Sequence, residues 1–416
     1  AKVDNIERDL NYRINDDCNI EFLDITSKLG FRVYQRSAVF IMLAAVRKIL
    51  GKEAVVWVEH TINRNYFCII RGVEISRKLL SEIKEEMTEI VKNDFPIEKL
   101  QVSVSEAEEI FTKNNLINCK KELKYIKATS VSLYKINDYY DYLYGSMVPS
   151  TEYIKIFDLV KHGDGFVLQF ESPKVPGTLN EHLKYPKLTS IFKEYNRWSE
   201  ILNVPAVCSL NDAISNSEIK ELILITEALQ EKKIANIADA IQKSGKKFVF
   251  IAGPSSSGKT TFSKRLCIQL KVIGIKPHVI SLDDYYKRRE EIPFEADGTK
   301  NFEDLSALEI DKFNNDLLRL KEGEEVETPL YDFITGEPKT AGKKIKLEEG
   351  DVLVIEGIHG LNNALTPKIG EDDKYKIYIS ALTQLNIDEH NRISTTDSRL
   401  VILLFTFCQS HNYFGQ

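Results

Sequence analysis

The sequence is poor in cysteine: six thiols in 416 residues (Cys18, Cys68, Cys119, Cys208, Cys267 and Cys408), scattered and without a Cys-x-x-Cys pair. That pattern excludes a zinc ribbon and a disulfide framework, and it predicts reduced thiols in a cytosol. No uninterrupted apolar run approaches the roughly 18 residues that span a bilayer. Charges throughout residues 1–20 leave no secretory signal there. We therefore expect a cytoplasmic protein with no membrane partner. An excess of positive charge is also lacking. Lys and Arg number 56 against 62 Asp and Glu, a formal net charge of −6, so the whole chain is not a basic glove for nucleic acid. Short-period repeats and low-complexity tracts are missing too. What is there is ordinary for a globular chain, 43% hydrophobic and 28% charged, and long enough for two to four domains of roughly 100–200 residues. The chain opens on Ala1 rather than Met, which leaves room for an earlier segment.

Residues 1–30 read as short strands and turns. Ala38, Ile41, Met42, Ala45, Val46 and Ile49 recur at helical spacing, with Gly51 as the stop. Strands are expected at 54–58 and 66–70, helices at 76–93 and 105–113, and further strands at 130–134, 153–159 and 165–170. Two helical periods fill 216–243, and we read 207–245 as a helical connector. From 246 onward strand and helix alternate, the signature of a parallel α/β sheet.

The strongest motif follows the apolar run Phe248-Val-Phe-Ile-Ala252. Gly253-Pro254-Ser255-Ser256-Ser257-Gly258-Lys259-Thr260 matches GxxxxGK[ST], and an apolar-periodic helix follows it. Glycines let backbone N–H groups turn toward phosphate oxygens, and the helix N-terminus adds to that field. Lys259 supplies a point charge at the β/γ-phosphates, and the Thr260 hydroxyl can ligate magnesium. Strand-to-helix context distinguishes this loop from a Gly/Ser turn that merely precedes a helix. Two further strands end in acids. Pro277–Leu282 runs into Asp283-Asp284-Tyr285-Tyr286, and Asp351–Ile355 into Glu356-Gly357. Ligands gather at such carboxyl ends, where an acid can take a proton from an attacking hydroxyl or face a metal ion. A solvated turn is the plain alternative for Asp283, and a structural turn is the preferred reading of His359.

Gly253–Thr260, Ser281-Leu-Asp283-Asp-Tyr-Tyr286, Asn301-Phe302-Glu303, Pro329-Leu-Tyr331-Asp332-Phe333 and Ile355-Glu356-Gly357 occur in the order seen in the uridine kinase family, close to phosphoribulokinase. This resemblance covers roughly 246–400. It implies transfer of the γ-phosphoryl of ATP or GTP, with Mg2+, to the 5′-hydroxyl of uridine or cytidine. By motif, Gly253 through Thr261 would bind the nucleotide, Asp283 would be the general base, and Lys259 and Arg399 would act on the phosphoryl group. Tyr286, Tyr331 and Phe333 would wall the nucleoside pocket, Glu303 would grip the ribose, and Thr260 with Glu356 would serve the metal. Two departures stand out. Gly336 occupies the position where the family has a base-reading His, so weak discrimination between bases is expected. The Arg-rich lid is reduced to Asp397-Ser-Arg399, with Arg392 nearby, and residues 400–410 hold no Lys or Arg. The last 17 residues depart from the family's closing helices.

The front half resembles threonyl-tRNA synthetase. Gly145-Ser-Met-Val-Pro-Ser-Thr151 parallels a synthetase run, and segment 76–113 also fits. The resemblance implies 1–29 as a partial TGS-like β-grasp, 30–206 as an α+β editing-like domain, 207–245 as the connector, and 246–416 as a P-loop kinase domain with an incomplete lid. At the synthetase's His/Cys positions this chain has Arg36, Phe40, Leu143 and Met147, so neither zinc binding nor hydrolytic editing is expected. His60 reads as a structural strand-end residue. Lys113, Lys120, Lys121, Lys124 and Lys127 form a basic run that reads first as a solvated face and second as an RNA contact. The leading expectation is a nucleoside kinase. An RNA-associated regulatory protein that senses nucleotide, and a kinase for another small hydroxyl acceptor, are the alternatives; homo-oligomer formation stays open.

Overall fold

The computed structural model describes residues 1–295, 298–339, 342–380 and 385–393. The chain divides into two compact units: Ala1–Ile219 together with residues 385–393, and a second unit that begins at Lys220.

In the first unit, Lys2–Val3, Ile6–Glu7 and Ile20–Glu21 make a small antiparallel sheet with Lys2–Val3 at its centre. Helix Lys28–Leu50 begins ten residues before the apolar period visible from Ala38. Ser27 sets that start, its hydroxyl accepting the Gly30 N–H at 3.0 Å. By length and composition this helix could cross a membrane, a match that counting uninterrupted runs overlooks. Its most apolar window is 72% buried inside the unit, so the core accounts for its composition. Phe40, Ile41 and Met42 pack there with Val58, Cys68, Phe166 and Phe170 from an antiparallel sheet. That sheet runs Val56–Ile62, Asn65–Ile70, Gly165–Phe170, Phe157–His162. Burying each such side chain contributes roughly 1.5–3 kcal/mol.

A third sheet joins Glu98–Ser103, Ser130–Ile136 and Tyr139–Asp141. The strand expected at 153–159 forms instead at Phe157–His162. Thr151–Tyr153 is a tight turn because Thr151 is tied on both sides, its Oγ1 donating to Ile90 O (2.7 Å) and its N–H to Phe95 O (2.9 Å). Helix Pro186–Ile201, with Pro at its first position, has no counterpart among the sequence expectations. Helices Val207–Ser215 and Ile219–Ser244 fill the stretch read as a connector.

In the second unit a parallel sheet runs Pro277–Ser281, Val352–Glu356, Phe248–Ala252, Lys374–Tyr378. All five residues of Phe248–Ala252 are buried, as a strand covered on both faces requires. The register sets Ser281 and Ile251 beside Glu356. The loop after Ala252, the acids after Ser281 and Glu356 itself therefore emerge together at the carboxyl ends of the strands.

Candidate active site

The phosphate-type loop leaves strand Phe248–Ala252 and re-enters a helix at Lys259. Gly258 makes that turn at φ +86°, a left-handed conformation open to glycine at little cost. Lys259 lies back across its own loop, Nζ donating to Pro254 O at 3.1 Å. Thr260 Oγ1 donates to Glu356 Oε1 at 3.0 Å across 96 residues of sequence. The second oxygen, Glu356 Oε2, is buried with no hydrogen-bond partner, as is Ser257 Oγ. A hydroxyl and a carboxylate with a spare oxygen, beside an anion-binding loop, suit a hydrated divalent cation.

Asp283 opens to solvent at the neighbouring strand end. Desolvation by surrounding protein raises its carboxyl above the ordinary value, while the Lys259 charge pulls the other way. Glu356 is raised chiefly by burial, and its bond from Thr260 opposes the shift. Asp284 Oδ1 accepts the Tyr331 N–H (3.3 Å), which brings the Tyr331–Phe333 turn to this end of the sheet. Three aromatic rings then converge. Their centroids lie 5.8 Å apart for Tyr286–Tyr331, 6.1 Å for Tyr286–Phe333 and 5.0 Å for Tyr331–Phe333. The Tyr286 hydroxyl donates to Phe302 O (2.8 Å). Burial first, then the charges of Asp283 and Glu303, raise its pKa. Glu303 is exposed, its N–H donating to Asn301 Oδ1 (3.0 Å). His359 forms part of a turn, accepting the Asn362 N–H at 2.8 Å, with its Nε2 buried and unpartnered. Arg399 and the rest of the lid lie outside the described residues. Arg392, read with Arg399 as part of the clamp, belongs to the first unit, with Nη1 3.5 Å from Thr61 Oγ1.

In the first unit, the four synthetase-aligned positions are filled by packing. Phe40, Leu143 and Met147 are buried apolar residues. Arg36 donates to Ser146 O and lies 3.6 Å from Glu7. Glu7 and Asp9 accept the N–H groups of Ser146 and Met147, both at 3.0 Å. His60 is only 2% exposed, stacked on Phe192 at 3.9 Å, with both ring nitrogens unpartnered; burial holds its pKa down, to about 3. Within the basic run, Lys120 pairs with Glu108 at 3.4 Å.

Sequence reasoning missed a buried polar cluster in this unit. Cys119, Asp388 and Glu389 bring a thiol and two carboxylates within 4.8 Å of one another. Glu389 Oε1 accepts from Asn118 Nδ2 (2.8 Å), and Asp388 Oδ1 from the His390 and Asn391 N–H groups (2.8 Å each). His390 Nδ1 sits 2.6 Å from Asp141 Oδ2, an ion pair by distance rather than an aligned hydrogen bond. The only sequence signal was the polar run 388–392, whose partners lie more than 200 residues earlier.

The phosphoribulokinase / uridine kinase family matches residues 248–393. Over 154 residues the chain is 32% identical to a uridine kinase of Clostridium botulinum, covering 36% of this chain and 71% of that one. A uridine kinase of Leuconostoc citreum is 30% identical over 148 residues, 34% of this chain and 69% of the other. The N-terminal region is similar to threonine-tRNA ligases. The ligase of Thermotoga neapolitana is 30% identical over 164 residues, 38% of this chain and 25% of that one. The chain thus spans about a quarter of the length of the tRNA ligases that it matches.

Proposed function

We propose that this chain, which belongs to the phosphoribulokinase / uridine kinase family, transfers the γ-phosphoryl group of ATP or GTP to the 5′-hydroxyl of a nucleoside, with uridine and cytidine first among the candidates. The observation that carries the reading is the convergence of Lys259, Asp283, Glu356 and the aromatic trio at the carboxyl ends of a parallel sheet's strands. Phosphoryl transfer asks a protein mainly for positioning and charge, and each of these groups supplies one of them.

In this reading, residues 253–261 wrap the nucleotide phosphates, and Lys259 leaves its carbonyl partner for the β/γ-oxygens. Asp283 takes the proton of the attacking hydroxyl; its raised pKa makes it a stronger base than an ordinary aspartate. Tyr286, Tyr331 and Phe333 stack the base, and Glu303 holds the sugar hydroxyls. Arg399 adds charge at the transferring group. Thr260 and the spare oxygen of Glu356 would hold magnesium, whose charge would offset that of the phosphates. The five cysteines among the described residues are free thiols, which supports a reducing, cytoplasmic setting.

The test is a panel of nucleosides, ribulose 5-phosphate and pantothenate, each incubated with γ-labelled ATP. We expect label in a nucleoside monophosphate. Label only in a sugar phosphate or phosphopantothenate would overturn the acceptor assignment. Tight, salt-sensitive tRNA binding with no labelled product would favour the RNA-associated alternative.

A further inference from the structure

The sequence suggests that nothing at position 336 reads the base. The surroundings of Gly336 suggest otherwise. Gly336 has φ +76°, and a Cβ built there would stand 3.0 Å from Arg289 Nε and 3.2 Å from Arg289 Cζ. The arginine side chain already fills the space that a side chain at 336 would take. Arg289 is fixed from three directions: its N–H donates to Gly336 O (3.1 Å), its Nη2 donates to Phe333 O (3.2 Å), and its carbonyl accepts from Lys300 Nζ (2.7 Å). The Tyr331 hydroxyl donates to the same Gly336 carbonyl at 2.9 Å. One carbonyl therefore ties the arginine to the aromatic trio. Beside them opens a cavity of about 410 Å³, lined by Arg289, Lys300, Phe302, Gly336, Glu290 and Glu337 among others.

We propose that Arg289 is the base-reading residue of this chain and that it selects uridine over cytidine. The inference rests on the nucleoside kinase reading above and deepens it. A guanidinium carries five N–H donors and no acceptor. The 4-carbonyl of uracil can accept from it. The 4-amino group of cytosine sets donor against donor and leaves both unpaired, which a recognition site penalises strongly. Arg289 is held at its backbone and at one terminal nitrogen, so its remaining donors are presented with little rotamer entropy still to lose. Glu290 and Glu337 are the groups in the same wall that could instead accept from cytosine, and they supply the control.

The experiment compares kcat/KM for uridine and cytidine, in competition, for the full chain and for Arg289→Met, Arg289→Gln and Glu337→Gln. The unaltered chain should favour uridine by about tenfold or more. Arg289→Met keeps the aliphatic stem against Gly336 and removes the donors. It should lower uridine kcat/KM by about tenfold, leave cytidine within about twofold, and leave the ATP KM unchanged. Arg289→Gln, which brings an acceptor as well as a donor, should narrow the ratio in cytidine's favour. Gly336→His should displace Arg289 and lower uridine turnover rather than sharpen the choice. Equal loss for both nucleosides in Arg289→Met would mean a purely structural arginine and overturn the proposal. So would a native preference for cytidine, or a ratio that moves in Glu337→Gln and not in Arg289→Met. Failure of the full chain to phosphorylate either nucleoside would instead strike at the parent reading.

Discussion

Asp283 and Glu356 at the carboxyl ends of the parallel strands, and Asp388 and Glu389 in the front unit, are the same chemical groups in opposite surroundings. The first pair stands beside Lys259, with Asp283 open to solvent and one oxygen of Glu356 unpartnered. The second pair is sealed, at 0% and 2% exposure, and its oxygens are met by Asn118, Asn391 and the His390 backbone. A pair with unmet hydrogen-bonding capacity is built to receive a ligand. A pair whose demands are met inside the protein serves the fold, because burial without partners would be prohibitive.

The sharpest way to break this comparison is to remove a charge from each side. Lys259→Ala should cost on the order of 10³-fold in kcat/KM for phosphoryl transfer while the melting temperature stays where it was. His390→Ala should do the reverse in kind. Leaving Asp141 buried without its cation should cost about 3–5 kcal/mol of stability, read as denaturant or thermal unfolding of the full chain. Stable His390→Ala protein would show that the sealed cluster is not structural.

The pH dependence separates the two sites next. Burial alone would lower the His390 pKa, but Asp141 and then Asp388 outweigh it and lift it to about 9; burial lifts Asp388 to about 7. Both groups bind protons more tightly folded than unfolded. The His390 contribution is therefore complete below its ordinary value of 6.5 and is lost as pH rises through about 9. The Asp388 contribution fades from the ordinary 3.8 up to about 7. The melting temperature should fall between pH 7 and pH 9.5, and Asp141→Asn should flatten that fall. Catalysis should respond on the acid side instead: protonating Asp283, the proposed base, would remove its proton-accepting oxygen, and its raised pKa would move that loss of rate above the usual aspartate range.

Smaller effects sharpen the picture. Glu356→Gln should raise the magnesium concentration needed for half-maximal rate by about tenfold, in line with the loss of one ligand-side carboxylate. His60→Phe should be the mildest, within about 1 kcal/mol in either direction. The ring is buried against Phe192 with neither nitrogen bonded, so an apolar ring of similar shape gives up nothing.

What was legible in the sequence was local. The phosphate loop is a contiguous run whose strand and helix are its immediate neighbours, and all of Phe248–Thr260 takes the form that the motif predicts. The acids at 283 and 356 could be read because a strand end is a local feature, and parallel register then brings Glu356 to Thr260. The strand at 153–159 was misread because Ile154 and Ile156 alternate with Lys155, while the Thr151 bonds that bend the chain come from distant residues. Arg289 was invisible for the same reason: its meaning depends on a turn that returns Gly336 to it. The sealed cluster needed residues 388–391 to meet Asn118 and Asp141, and no local pattern encodes such a meeting.

The central claim is that Asp283 and the loop at 253–260 form one working site for phosphoryl transfer to a nucleoside. A rapid-quench single turnover, with γ-labelled ATP and uridine, tests it on the full chain and on Asp283→Asn. The account predicts labelled uridine monophosphate from the full chain. It predicts a chemical step about 10²–10⁴-fold slower in the variant, with ATP binding unchanged. Label appearing in the nucleotide at the same rate in both proteins, or in inorganic phosphate alone, would contradict it.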